Sequence, residues 1–240
     1  MIRGYSSSLK MWLFQVPDFS KEFKVVMFDN RGAGETDKPD IPYSIRMFAE
    51  DTIGLMDALE IDTAHILGIS MGGMIAQEIA LNYSERVKKL ILCATTVGAK
   101  GISASPEIVS KLVRDPDMSE EEFYRRMVPV ITTKEILEKK KDLVEKVFKM
   151  YVENAAPEHA NRRQIEAIMF FDSYDLIPRI NAPTLVLQGK DDVLIPPDNA
   201  RILAGRIPNA KLVFIKGGHL CNMEYPKEFN REVINFLKGT

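Results

Sequence analysis

The apolar run Ala64-His65-Ile66-Leu67 ends in Gly68-Ile69-Ser70-Met71-Gly72, and the helix-like run Met74-Ile75-Ala76-Gln77-Glu78-Ile79-Ala80 follows almost at once. A strand, a tight turn and a helix within so few residues constrain the fold more than any other feature of the chain. Such a turn holds its serine in a strained backbone conformation and leaves room only for small neighbours, here Gly68 and Gly72. The helix that follows points its N-terminus, with its partial positive charge, at Ser70. At average glycine and serine usage a bare G-x-S-x-G arises by chance in about one chain in twelve of this length. Its position between a strand and a helix is what makes Ser70 a candidate nucleophile.

A serine nucleophile needs a base, and the base needs an orienting acid. The chain has three histidines. His65 lies inside the strand before the turn and reads as core or surface filler. His159 lies in a polar, charged stretch. His219 follows the strand-like run Leu212-Val213-Phe214-Ile215 and the pair Gly217-Gly218. A glycine-rich loop at a strand's end leaves it free to reach a nucleophile. For the acid, the strand Thr184-Leu185-Val186-Leu187 runs into Gln188-Gly189-Lys190-Asp191-Asp192, so either Asp191 or Asp192 lies just beyond the strand's carboxyl end. Of the two cysteines, Cys221 lies close to His219 but has no such turn, and it reads as a packing residue.

The rest of the chain alternates strands with helical patterns, which predicts an α/β fold with a mostly parallel sheet flanked by helices. Strands are expected near Lys24–Asp29, Ala64–Ile69, Lys89–Ala94, Pro183–Gln188 and Lys211–Lys216. Their short, continuous apolar runs suit a sheet buried on both faces. Ser44 is placed to cap a helix reaching about Glu60, with Phe48, Thr52, Leu55, Met56 and Leu59 on one face. A closing helix is expected from Pro226 to Leu237. Between the third and fourth of these strands, about Val97 to Ala182, the patterns are helical. Ser119 and Glu122 form a capping box, and Lys134–Val152 carries apolar residues at helical spacing. Met127, Phe170 and Phe171 are candidates to line a pocket, although core packing accounts for most such residues.

Composition excludes several classes. A 240-residue chain that is 45% hydrophobic and 28% charged has the means for a full core. A net charge of −2 gives no basis for nucleic-acid binding. No apolar run is long enough for a membrane span, and Ser6, Ser7, Ser8 and Lys10 interrupt any signal-peptide core. Two cysteines make no disulfide framework, so a reducing, cytoplasmic setting is expected.

Four motifs, in order, resemble the α/β-hydrolase family. Asp29-Asn30-Arg31-Gly32-Ala33-Gly34 is similar to its D-x-R-G-x-G loop, and Gly68 to Gly73 to its G-x-S-x-G-G elbow. Gly189-Lys190-Asp191-Asp192-Val193-Leu194-Ile195-Pro196 matches G-x-x-D-x-x-x-P, which selects Asp192 as the acid. His219 to Pro226 matches H-x-x-x-x-E-x-P. The order Ser70, Asp192, His219 is the family's order. The pattern is similar to small carboxylesterases and 3-oxoadipate enol-lactonases, and serine at the elbow argues against haloalkane dehalogenases and epoxide hydrolases. The resemblance implies a core of 1–96 and 183–240, a helical cap of 97–182 over the site, and hydrolysis of a small ester through an acyl-enzyme on Ser70, without metal or organic cofactor. It implies Met71 and Tyr5 backbone N–H groups as oxyanion donors, Met71 from the elbow and Tyr5 from a loop after Gly4. Lactonase, carbon–carbon hydrolase, acyltransferase or perhydrolase chemistry, or a non-catalytic binding role, are the alternatives.

One departure lies at the start. Arg3-Gly4 stands where the family has His-Gly, with Trp12 at the family's spacing, so the fold is expected to be N-terminally shortened. In the family a strand lies between those of Lys24–Asp29 and Ala64–Ile69, and a gap is expected there. The apolar run Val25-Val26-Met27-Phe28 would then present an unpaired edge, which predicts a homodimer.

Overall fold

The computed structural model describes every residue except Val113, Pro116 and Thr240. In chain order the elements are α1 (Val16–Phe19), α2 (Ile45–Ala58), β1 (Ala64–Ile69), α3 (Met71–Asn82) and β2 (Val87–Cys93). Helices α4 (Pro106–Ser110), α5 (Glu120–Ile131), α6 (Lys134–Lys139), α7 (Lys141–Glu153) and α8 (Glu158–Met169) follow. The chain then returns to β3 (Thr184–Gly189), α9 (Asp198–Arg206), β4 (Ala210–Ile215), α10 (Cys221–Glu224) and α11 (Pro226–Lys238).

The four strands form one parallel sheet in the order β1-β2-β3-β4. Leu67 pairs with Ile91, Ile91 with Leu185, and Leu185 with Lys211. Successive side chains leave a strand on opposite faces, and the core divides accordingly. Leu90, Leu92 and Val186 face Phe48, Ile75 and Leu203, which lie on α2, α3 and α9. Ile91, Leu185 and Leu187 face Phe19, Phe229 and Val233 on α1 and α11. Both faces are covered, which is why these strands are apolar at nearly every position.

Local signals account for several boundaries. Ser44 Oγ accepts from Met47 N at 3.1 Å and starts α2. The helix ends two residues before Glu60, whose φ of 54° takes the chain out of the helical region. Leu59, expected on the buried face, is therefore exposed. The Ser119–Glu122 capping box is formed at the start of α5. The single helical pattern over Lys134–Val152 is broken at Lys140, whose φ of −128° and ψ of 55° separate α6 from α7. Lys140 Nζ there donates to the Glu224 carbonyl at 3.0 Å, tying the bend to the end of α10.

The expected strand at Lys24–Asp29 is not formed. The segment belongs to no ladder, and Val25 to Phe28 are only half-buried. A ladder needs a neighbour, and beside this segment lies a groove of about 470 Å³, bounded by Val25, Val26 and Phe28 on one side and Ala64, Ile66 and Leu67 on the other. Met1 and Ile2 span one end of it. The Met1 amine donates to the Val26 carbonyl at 2.7 Å, and Ile2 N–H donates to the Leu67 carbonyl at 2.8 Å. The gap expected in the sheet is thus an open groove, one strand wide where these two residues cross it.

The helices between β2 and β3 leave and re-enter the sheet layer at a single place. Gly98 and Asp172 form an antiparallel bridge, and Ser173 N–H donates to the Val97 carbonyl at 2.8 Å. Phe123, Met127, Val147 and Phe148 of this helical cap pack on Met11, Leu220 and Met223. Met127 is buried in that cluster, Phe171 in the core, and Phe170 is 88% exposed.

Candidate active site

Ser70 joins β1 directly to α3 at φ 58° and ψ −123°, a strained conformation for a residue with a Cβ. The strain is held by the main chain: Ser70 N–H donates to the Cys93 carbonyl at 3.0 Å, and the Ser70 carbonyl accepts from Gly73 N–H and Thr95 Oγ1, each at 2.8 Å. The strand and helix come so close that a Cβ on Gly68 would collide with the Gly72 carbonyl. Met71 opens α3, so its N–H has no intrahelical acceptor and is free for an anion.

Asp192 and His219 meet at the ends of β3 and β4. His219 Nδ1 lies 3.0 Å from Asp192 Oδ2, and both side chains are nearly excluded from solvent. A carboxylate only accepts, so the proton sits on Nδ1 and leaves Nε2 with its lone pair. Asp192 is held on every side. Its Oδ1 accepts from Leu194 N–H and Ile195 N–H, each at 2.9 Å, and its Oδ2 also accepts from Gln188 Nε2 at 3.0 Å. Asp191 is exposed and offers only its backbone N–H, to the Gly217 carbonyl. The structure brings Asp192 and His219 into contact, whereas Ser70 Oγ makes no hydrogen bond among the described residues. Hydrogen bonds of this kind often tighten only with a bound substrate.

The loop that carries His219 is tied to the cap. Gly217, at φ 111°, turns the chain out of β4. Glu224 Oε2 accepts from Gly218 N–H and Oε1 from Thr133 N–H, each at 2.6 Å, and Leu220 N–H donates to the Ile131 carbonyl at 3.0 Å. Burial pushes the Glu224 carboxyl above the ordinary range, opposed by these backbone hydrogen bonds. Cys221 packs against Cys93 with the sulfurs 3.7 Å apart, and that contact together with burial raises its thiol pKa. It is an inert packing residue in this setting.

On the other side of Ser70 lies the loop after Gly4. A Cβ on Gly4 would sit 2.9 Å from Ser70 Cβ and 3.3 Å from Ser70 Oγ, so glycine is what lets this loop reach the serine. Tyr5 follows, and burial raises the pKa of its phenol. The Arg3 carbonyl accepts from Asn30 Nδ2 at 2.9 Å, and Leu9 N–H donates to Asp29 Oδ1 at 2.6 Å. The Asp29–Gly34 segment thus braces the loop from below. Arg3 is buried with its guanidinium 4.9 Å from the Trp12 ring centroid. Its Nε and Nη1 have no hydrogen-bond partner among the described residues, and burial lowers its pKa.

His65 stands edge-on to Phe23, and His159 Nε2 meets the Lys38 carbonyl, so neither joins the site. Sequence reasoning missed Gln188 as a partner of Asp192, and no separate signal marked it. It also left Glu224 without a role, although the H-x-x-x-x-E-x-P match contains it. Among the described residues no group of three or more His, Cys, Asp or Glu side chains is arranged to hold a metal ion. Among the described residues no helix is long and apolar enough to cross a membrane.

A nucleophile elbow, a buried Asp–His pair beyond the next strands and a helical cap define a serine-type hydrolase of small molecules. The chain belongs to the α/β-hydrolase-fold family, whose model matches residues 1–226. It is 33% identical over 251 residues to the 2-hydroxy-6-oxo-6-phenylhexa-2,4-dienoate hydrolase of Comamonas testosteroni, covering 98% of this chain and 78% of that one. Among solved structures it is similar to the enol-lactonase of Burkholderia xenovorans LB400, with a TM-score of 0.90 and 28% identity over 99% of this chain and 89% of the other. A thermophilic esterase from Thermogutta terrifontis gives a TM-score of 0.87 and 28% identity, covering 99% and 88%.

Proposed function

We propose that this chain hydrolyses small carboxylic esters through an acyl-enzyme on Ser70. The observation that carries the reading is the His219–Asp192 hydrogen bond, which fixes Nε2 as the basic nitrogen at the same end of the sheet as the strained Ser70 elbow. His219 takes the Ser70 proton as Oγ attacks the ester carbonyl. Asp192 holds the tautomer and stabilises the imidazolium. The N–H groups of Met71 and Tyr5 receive the oxyanion, each such donor being worth about 3 kcal/mol of barrier. The alcohol leaves with the proton from His219. Water, deprotonated by His219, then attacks the acyl-enzyme and releases the acid. Residues 97–182 act as the cap that excludes bulk water, over a core of 1–96 and 183–240.

The likeness to a dienoate hydrolase favours one second reading, cleavage of a carbon–carbon bond by the same residues. Turnover of an ester chain-length series, run beside lactone, thioester and carbon–carbon substrates, separates the two. Labelling of Ser70 by a fluorophosphonate tests the serine itself, because a protein that only binds small molecules need not keep a working base. Two free thiols fit a reducing, cytoplasmic setting. The open groove beside Val25–Phe28 supports a homodimer in which a second copy covers this edge, and light scattering that finds a monomer at micromolar concentration rejects that assembly.

A further inference from the structure

The loop between Gly4 and Leu9 is short, carries the Tyr5 N–H, and contains a second strained residue. Ser6 lies at φ 51°, in the left-handed region that a side chain disfavours. Such a conformation persists only where its surroundings impose it. Here they do so through the cap. Ser6 N–H donates to Gln164 Oε1 at 2.9 Å, and Gln164 Nε2 donates to the Arg31 carbonyl at 2.9 Å. The Ser6 hydroxyl bonds the Tyr124 hydroxyl at 2.7 Å, and the Ser7 hydroxyl bonds the Tyr151 hydroxyl at 3.2 Å. Tyr124 and Tyr151 stack with their centroids 5.3 Å apart, and all three cap side chains are buried. They come from three helices, α5, α7 and α8.

We propose that Gln164, supported by Tyr124 and Tyr151, positions the oxyanion loop, so that the seated cap sets where the Tyr5 N–H points. Gln164 is suited to this because its amide is used at both ends. The carbonyl receives the Ser6 N–H next to the donor, and the NH2 group anchors on the Arg31 carbonyl of the bracing segment. Neither bond requires the substrate, so these are positioning residues. Their loss lets Ser6 relax toward negative φ and rotates the adjoining peptide away from Ser70. A misplacement on the scale of an ångström costs up to about a hundredfold in rate, and loss of a whole oxyanion donor roughly a hundred- to a thousandfold.

The inference rests on Ser70 as the nucleophile, and its test is kept separate from that reading. Gln164→Ala and Tyr124→Phe are assayed with a p-nitrophenyl ester and with phenylboronic acid, whose tetrahedral adduct on serine needs the oxyanion donors. For Gln164→Ala we expect kcat to fall roughly 10- to 100-fold with KM within about threefold, and boronate affinity to fall in parallel. Tyr124→Phe, which removes one side-chain bond, gives a smaller loss of the same pattern. Gln164→Glu is nearly isosteric and covers the case in which Gln164→Ala does not fold. Protonated, its carboxyl reproduces both bonds, so its kcat recovers toward the parent as pH falls. A folded Gln164→Ala with parental kcat, a change confined to KM, or a Gln164→Glu profile identical to the parent's overturns the proposal. A fully active Ser70→Ala would instead overturn the assignment of the nucleophile.

Discussion

Replacing Asp192 by asparagine changes one atom and forces a choice between two orientations of the new amide. If the NH2 group faced Leu194 N–H and Ile195 N–H, two donors would confront it where a carboxylate oxygen now accepts both. The amide therefore keeps its oxygen on that side and turns its NH2 toward Gln188 and His219. Gln188 has an answer. Its Oε1 is buried without a partner, so rotating the amide gives the new NH2 group an acceptor, at the loss of the 3.2 Å contact from Nε2 to the Ile195 carbonyl. His219 has none that preserves catalysis. Its Nδ1 must now accept, the proton moves to Nε2, and the imidazole no longer takes a proton from Ser70. We expect kcat/KM to fall roughly a thousand- to ten-thousandfold, about 4–5.5 kcal/mol of barrier. Stability should fall by about 1–3 kcal/mol, since charged hydrogen bonds become neutral ones and the rotated Gln188 Nε2 gives up its contacts to the Gly189 and Ile195 carbonyls. Ester hydrolysis and thermal melting, measured on the same preparation, read both numbers. A variant with parental melting and activity within about tenfold of the parent would refute the assignment of Asp192 and the tautomer argument together.

Asp191→Asn should leave activity within about twofold, because its side chain is exposed and outside the site. Ser70→Ala should abolish turnover and fluorophosphonate labelling with little change in melting, and the double variant with His219→Ala should be no worse than either single one. Glu224 bears on pH. Its raised native pKa means that, between the ordinary carboxylate range and that value, the folded state holds a proton the unfolded chain has given up. Its contribution to stability therefore falls as pH rises through that window. Glu224→Gln removes this slope but turns an NH2 group toward Gly218 N–H or Thr133 N–H, so we expect a loss of about 2 kcal/mol near neutrality, with urea midpoints across pH as the check.

The elbow, four of the five expected strands and both long flanking helices were legible because each is written locally. Ala64–Ile69 is apolar at nearly every position and ends on small residues, and Ser44 and Ser119 sit where caps belong. Lys24–Asp29 reads equally well as a strand, yet a strand exists only in a ladder, and no local pattern reports whether the neighbour is there. The same limit applies to the site. Asp192 follows from its register between Gly189 and Pro196, whereas Gln188 and Gln164 matter through contacts that fold back across the loop or across 158 residues of chain. The break at Lys140 was hidden for a related reason, since the helical spacing of apolar residues continues across it while its anchor is the Glu224 carbonyl.

The bridge between Gly98 and Asp172 makes the cap a graft with a single stem. Everything between those residues starts and finishes at one point of the sheet layer, with Ser173 Oγ further fixed to Gln77 Oε1 of α3 at 2.7 Å. Loop-closure cost rises only slowly with length once the two ends are held together. The segment above the stem is therefore free to be longer, shorter or differently folded without pulling on β2 or β3. A change of lid reaches the chemistry through the contacts it makes from above, at Ser6, Ser7 and Arg31 on one side of Ser70 and at Leu220 and Glu224 on the other.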